Sequence, residues 1–244
     1  MRVNEIDTPA LVVDLERMER NIATMARFFA SRPAKLRPHF KTPKCAEVVE
    51  RQLAACAIGV TCAKLGEAEA LAGAGVRTSV LIANQLVGAA KLSRLVALAP
   101  TLPELIVAVD SEAQVDALDA ALAGSKARVG VLIEADIGMH RCGTDSPEET
   151  VALARRIAKS RAAWRGIMGY EGHAVLVPDS GKRKELAEAA GATLRAHVLA
   201  LRASGLAPEI VSAGGTGTFE LTGSADFVTE IQAGSYVFMD RDYA

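Results

Sequence analysis

The sequence predicts an α/β fold, a (β/α)8 TIM-like barrel, on three observations. Short runs rich in Val, Ile and Leu alternate with longer stretches of helical period, which points to a parallel sheet. Eight such runs follow one preliminary strand and helix. The length of 244 residues also suits one closed barrel, which typically takes roughly 250. A doubly wound open sheet would alternate in the same way, and the eight-fold count and the length favour closure.

Residues 10–13 read as the preliminary strand. Residues 15–30 read as a helix because Met18, Ile22, Met25 and Phe29 repeat at helical spacing. The barrel strands are expected at 36–40, 58–61, 79–82, 105–109, 128–133, 166–170, 209–212 and 226–231. Helices are expected at 45–55, 65–73, 87–98, 112–122, 147–159 and 182–204. Asp110-Ser111 offers a cap for one of them, and Ser146 followed by Pro147, Glu148 and Glu149 offers another, with acids in the first turn. The last long helix stops at Gly205, with Pro208 just beyond.

Composition removes several function classes. Lys and Arg number 28 against 29 Asp and Glu, a formal net charge of -1, so the basic stripe of a nucleic-acid binder is not expected. Aromatics at 4% are too few for base-stacking platforms. No apolar run approaches the roughly 18 to 20 residues of a membrane span. Residues 1–7 contain no apolar core of a secretory signal. Cys45, Cys56, Cys62 and Cys142 form no CxxC pair, so no zinc ribbon or disulfide framework is expected, and reduced thiols in a cytoplasm are.

In such a barrel, chemistry gathers at the C-terminal ends of the strands. Strand one ends in His39-Phe40-Lys41-Thr42-Pro43-Lys44. Strand five ends in Glu134-Ala135-Asp136-Ile137-Gly138-Met139-His140-Arg141-Cys142-Gly143. Strand six ends in Gly169-Tyr170-Glu171-Gly172-His173, and strand seven in Ser212-Ala213-Gly214-Gly215-Thr216-Gly217-Thr218. Strand eight carries Glu230-Ile231-Gln232-Ala233-Gly234-Ser235-Tyr236.

Lys41 has two readings: a solvated rim lysine, or an amine made nucleophilic by desolvation or by neighbouring cations such as His39, Lys44 or Arg141. Residues 212–218 read either as a plain turn or as a nest of backbone N–H groups suited to phosphate. They form no P-loop, and Glu220 stands where a dinucleotide fingerprint needs its third glycine. Arg141 is either a surface arginine or a ligand contact reached through flanking glycines. His140 and His173 have loop and functional readings, while His197, inside a helix, reads as structural.

Together these segments resemble the fold-type III enzymes that use pyridoxal 5'-phosphate (PLP), and within them the D-threonine aldolase and D-serine dehydratase branch of the alanine racemase N-terminal barrel superfamily. The resemblance spans nearly the whole chain. It rests on Asp7-Thr8-Pro9-Ala10-Leu11-Val12-Val13-Asp14 with Asn21, on Arg37–Lys44 and Gly138–Gly143, and on Gly214–Thr218 and Gly234–Asp240. It implies that Lys41 carries PLP, that Arg141 approaches the cofactor's phenolic oxygen or a substrate carboxylate, and that Tyr170 lines the ring. It implies a phosphate turn of Ser212, Gly214, Gly215 and Thr216. Gln232 takes the place where racemase relatives have an arginine near the pyridine nitrogen.

The implied activity is that of a PLP-dependent lyase on β-hydroxy D-amino acids, with retro-aldol cleavage to glycine and an aldehyde ranked first. D-serine dehydratase-like deamination and racemisation are alternatives, and a non-catalytic PLP-binding homeostasis protein or a barrel without cofactor are rivals of another class. D-threonine-aldolase-like enzymes place a base for the β-hydroxyl some residues past the tyrosine. That position is Leu176 here, so His173 is the expected catalytic substitute. Relatives continue into a β-rich C-terminal domain, which in the metal-dependent branch supplies the ligands of a divalent metal (Mn or Zn). Residues 1–244 are accordingly expected to form the PLP-binding barrel domain with that second domain absent, and no metal ligands are assigned within them. The expected assembly is a homodimer, by resemblance.

Overall fold

A computed structural model describes residues 2–239. Met1 and residues 240–244 lie outside the described residues, and with them Asp240, which ends the last quoted motif. Eight strands form one parallel sheet: β1 (Lys35–Leu36), β2 (Val60–Cys62), β3 (Ser79–Gln85), β4 (Glu104–Val109), β5 (Gly130–Ala135), β6 (Ala163–Gly169), β7 (Ile210–Ala213) and β8 (Glu230–Ile231). The ladder runs β1-β8-β7-β6-β5-β4-β3-β2. Its ends meet where His39 bridges Thr61. Phe40 N–H donates to the Thr61 carbonyl at 2.7 Å, and Thr61 N–H to that of Pro38 at 2.9 Å. Toward β8 the bonding continues through Arg37 N–H and His39 N–H, whereas Pro38 has no N–H to give to the β2 side, and there the seam is closed by a bridge.

Alternation along these strands sorts side chains into two apolar groups, because successive residues face opposite sides of a sheet. Val80, Ile82, Val107, Val131, Ile133, Ile167, Val211 and Ile231 point outward into the layer beneath the helices. Leu81, Ile106, Ala108, Leu132, Met168 and Ile210 point inward and fill the middle of the barrel. Below that plug, Arg37 Nε donates to both oxygens of Glu230 at 2.9 and 3.0 Å, and its Nη1 reaches the Ser79 hydroxyl at 2.9 Å. Above it, the same inward columns end in the residues of the barrel mouth.

The helices are α1 (Leu15–Ala30), α2 (Ala46–Ala54), α3 (Leu65–Gly73), α4 (Ala89–Leu98), α5 (Glu112–Leu122), α6 (Pro147–Ala158), α7 (Gly172–Val175), α8 (Ser180–Ala203) and α9 (Phe219–Thr222). In α1, the residues at helical spacing, Met18, Ile22, Met25 and Phe29, are the buried ones. At α6, Ser146 accepts from Glu149 N–H and Pro147 opens the first turn, as the sequence implies.

Three elements differ in kind from expectation, and the strands expected at 36–40 and 226–231 pair regularly only over Lys35–Leu36 and Glu230–Ile231. Residues 10–13 are not a strand: among the described residues no strand pairs with them, and Leu11, Val12 and Val13 stand exposed. A β run without a neighbour has no ladder to bond its backbone groups. The short helices α7 and α9 have no expected counterpart, being too brief to show helical periodicity.

Candidate active site

A cavity of about 440 Å³ opens at the C-terminal end of the strands. Lys41, Ala63, Gln85, Glu134, Arg141, Tyr170, Gly215, Thr216, Gln232 and Ser235 are in its wall, so seven of the eight strands contribute side chains or turns to it. The first strand shows how: Arg37, His39 and Lys41 alternate on the inner face, and the first two are buried while the third reaches the mouth.

Lys41 and Arg141 flank one aromatic ring. Each cationic end lies 5.8 Å from the Tyr170 ring centroid. The walls withdraw enough water, and Arg141 adds enough repulsion, to lower the Lys41 pKa below the ordinary lysine value, against the opposing pull of Glu67. Arg141 Nη2 also donates to Glu134 Oε1 at 3.4 Å, and Gln85 Nε2 donates to Glu134 Oε2 at 2.7 Å. Beside Lys41, His39 is held neutral. Burial, reinforced by the Lys41 charge, brings its pKa down to about 3, with the Thr61 backbone opposing.

The glycine turn is built differently from the simple nest expected for it. Gly214 N–H donates to Glu171 Oε2 at 3.2 Å, and Gly215 N–H to Thr218 Oγ1 at 3.1 Å, so both are engaged within the protein. Among the described residues the N–H groups of Thr216 and Ser235 donate to no protein acceptor, and both residues border the cavity. Thr216 Oγ1 accepts from Tyr236 N–H at 3.0 Å and thereby clamps the two turns together. A β-carbon at Gly234 would come 2.9 Å from both the Cβ and the carbonyl oxygen of His39, so only glycine lets the strand-eight turn sit against strand one.

Of the residues singled out in the sequence, Lys41, Arg141, Tyr170, Gly214, Gly215, Thr216 and Gln232 are brought together around this cavity. Ser212 is not in the wall. It is fully buried beneath Gln232, whose Nε2 donates to its Oγ at 2.8 Å. The period of the strand explains this: Ser212 and Gly214 share the inner face, and Gly214 is one step nearer the mouth.

His173 is not in the wall either. The chain turns into α7 directly after Tyr170, and this carries the imidazole onto Gly138, where a β-carbon would stand 3.2 Å from His173 Cε1. Its Nδ1 is buried without a hydrogen-bond partner. Leu176, the other position considered, is exposed beside a separate groove.

Glu171 is the residue the sequence did not single out. Its buried carboxylate accepts from Gly214 N–H, from the Thr218 hydroxyl at 2.8 Å and from the Thr222 hydroxyl at 2.6 Å. The three partners are 43, 47 and 51 residues away, so no local spacing announces the role. Among the described residues no group of three or more His, Cys, Asp or Glu side chains is placed to hold a metal ion, and no helix is long and apolar enough to cross a membrane.

Comparison with known proteins adds a second line. The family described as alanine racemase, N-terminal domain, matches residues 13–242. A 3-hydroxy-D-aspartate aldolase of Paracoccus denitrificans (strain Pd 1222) is 36% identical over 245 residues, covering 100% of this chain and 63% of that protein. A D-threo-3-hydroxyaspartate dehydratase of Delftia sp. (strain HT23) is 35% identical over 237 residues, covering 96% of this chain and 62% of the other. The crystal structure of a D-threonine aldolase from Filomicrobium marinum superposes with a TM-score of 0.95 at 39% identity, covering 99% of this chain and 65% of that one. The chain thus spans less than two thirds of the length of each relative.

Proposed function

This chain belongs to the alanine racemase N-terminal domain family, and we propose that it is the barrel domain of a PLP-dependent lyase that cleaves β-hydroxy D-amino acids in the aldolase manner. The observation that carries the reading is the convergence of Lys41, Arg141 and the turns at 214–216 and 234–235 on one cavity.

The residues present fit the cofactor. Lys41 offers an amine with a lowered proton affinity, as a nucleophilic lysine needs. Thr216 and Ser235, whose N–H groups donate to no protein acceptor among the described residues, border the cavity where an anionic tail would be received. The Tyr170 ring and the cation of Arg141 bound the space between. PLP, when bound, supplies an electron sink that stabilises negative charge at the substrate's α-carbon.

The chain's own residues do the rest. Lys41 Nζ would hold the cofactor's aldehyde carbon and, once displaced by the substrate's amino group, would be the wall group suited to moving a proton, its pKa being lowered by burial and by Arg141. Arg141 orients an anionic oxygen over Tyr170, while Glu134 and Gln85 keep the guanidinium from swinging away. Gln232, held by Ser212, presents a neutral amide where an arginine would place a charge. His173 as base for the β-hydroxyl would require its imidazole to leave Gly138 and enter the cavity.

Incubation with PLP, borohydride reduction and peptide mapping test the lysine: the label is expected on Lys41 and is lost in Lys41→Ala. A label on another lysine overturns the assignment. Assays with D-threonine, D-3-hydroxyaspartate and D-serine, with and without Mn²⁺ or Zn²⁺, test the reaction. Glycine release supports the aldolase reading. Ammonia with an oxo acid supports the dehydratase reading, which the similarity to the Delftia dehydratase keeps as the second choice. A homodimer is the proposed assembly, read by sedimentation. The four free cysteines support placement in a reducing cytoplasm.

A further inference from the structure

The loop that carries Arg141 is tied from behind to a histidine on α8. Thr144 closes that loop: its N–H donates to the Glu134 carbonyl at 2.9 Å, and its own carbonyl accepts from Asp136 N–H at 3.0 Å. The Thr144 hydroxyl lies 2.5 Å from Thr150 Oγ1 on α6, and Thr150 Oγ1 lies 2.7 Å from His197 Nδ1. All three residues are buried. Thr150 also has the Ser146 carbonyl at 3.1 Å.

One proton arrangement satisfies every contact. Thr150 donates to Ser146, and its oxygen accepts from the Thr144 hydroxyl and from His197 Nδ1–H. A polar ring in an apolar layer is costly unless its nitrogen is bonded, so the imidazole is justified by this chain of hydroxyls where a leucine would have served for packing alone. Burial lowers the His197 pKa, opposed by Glu148 and Glu149.

Asp136 and Asp110 hold the loop differently. Asp136 Oδ1 accepts from the N–H groups of Gly138, Met139 and His140, which sets the internal shape of the turn, and Asp110 Oδ2 accepts from Gly143 N–H at 3.1 Å. The hydroxyl chain is the link to the outer helices.

We propose that His197 is a positioning residue for Arg141, holding the hydroxyl of Thr144 through Thr150 and so setting where the loop 136–144 stands over the cavity. The catalytic consequence rests on the reading of Arg141 given above, whereas the tie itself does not.

Cys142 reports on it without cofactor, being half-buried in the same loop and at the edge of the cavity. In Thr150→Val, iodoacetamide should label Cys142 roughly tenfold faster, the scale of one lost buried hydrogen bond expressed as loop opening. Exposed Cys56 should keep its rate, and Thr150→Ser should restore that of Cys142. His197→Leu, read in the same way, serves if Thr150→Val fails to fold. A Cys142 rate within about twofold of wild type in a folded variant overturns the proposal. In PLP-loaded protein the same variants should lower kcat more than they raise KM. If they do not, while Cys142 still responds and Arg141→Lys captures PLP at the wild-type rate, the tie stands and the role given to Arg141 falls.

Discussion

The backbone N–H of Lys41 donates to Nδ1 of His39 at 3.3 Å. The imidazole therefore acts as an acceptor at Nδ1 and keeps its proton on Nε2, which matches a pKa brought down to about 3 by burial and by the adjacent amine. Strand one thus ends in a neutral ring that braces the lysine without adding charge beside it.

Acid stability follows from that neutrality. Between the ordinary value of 6.5 and about 3, the unfolded chain binds a proton that folded His39 refuses, so stability rises with pH through this window and is lost as pH falls. His39→Asn, with an amide oxygen in place of Nδ1, should flatten that part of a plot of unfolding free energy against pH. An unchanged slope in urea titrations at several pH values would remove His39 from the account.

Arg141 is the charge that lowers the Lys41 pKa after desolvation. Arg141→Gln should move the midpoint of PLP capture to higher pH, because Nζ then holds its proton more firmly. At neutral pH the capture rate should fall, and raising the pH should recover it. The visible absorbance of bound cofactor, followed across pH, gives both.

Glu171→Ala should loosen the glycine turn, since three donors lose one carboxylate. Each buried donor left unsatisfied costs about 1–3 kcal/mol. A marked drop in melting temperature and weaker PLP affinity are expected together. Glu171→Gln, which retains one acceptor oxygen, should lie between. Wild-type affinity in a folded Glu171→Ala protein would separate the turn from cofactor binding.

Gly234→Ala brings a methyl group to 2.9 Å from the His39 carbonyl. The turn must shift, and Ser235 N–H moves with it. PLP affinity should fall at least tenfold, with a smaller effect on melting, as equilibrium dialysis and calorimetry would show.

The Arg37–Glu230 pair beneath the plug should behave as a buried ion pair whose halves cannot be parted. Arg37→Met strands the Glu230 carboxylate and should cost about 3–5 kcal/mol in denaturant unfolding. Arg37→Met combined with Glu230→Leu should recover much of that loss. Failure of the double variant to recover would assign the cost to packing and not to charge.

Much of this was legible in the chain itself. Helices such as α1, α3 and α5 were expected at their observed bounds, because amphipathic period and end signals are local. The inward columns that end in Lys41, Tyr170 and Gln232 follow from a two-residue period, which is local as well. The resemblance collected the same mouth residues, although it included Ser212 and His173, which lie under or beside the wall.

Residues 10–13 have the composition of a strand, yet composition cannot supply the neighbour a strand bonds to. Glu171 and His197 draw their roles from groups 43 or more residues away, so only closure of the ring and packing of α6 against α8 brings those partners within bonding distance. Alternation and helical period are properties of adjacent residues and survive in any reading of the chain, whereas a hydrogen bond between distant segments exists only once the folded backbone has brought them together.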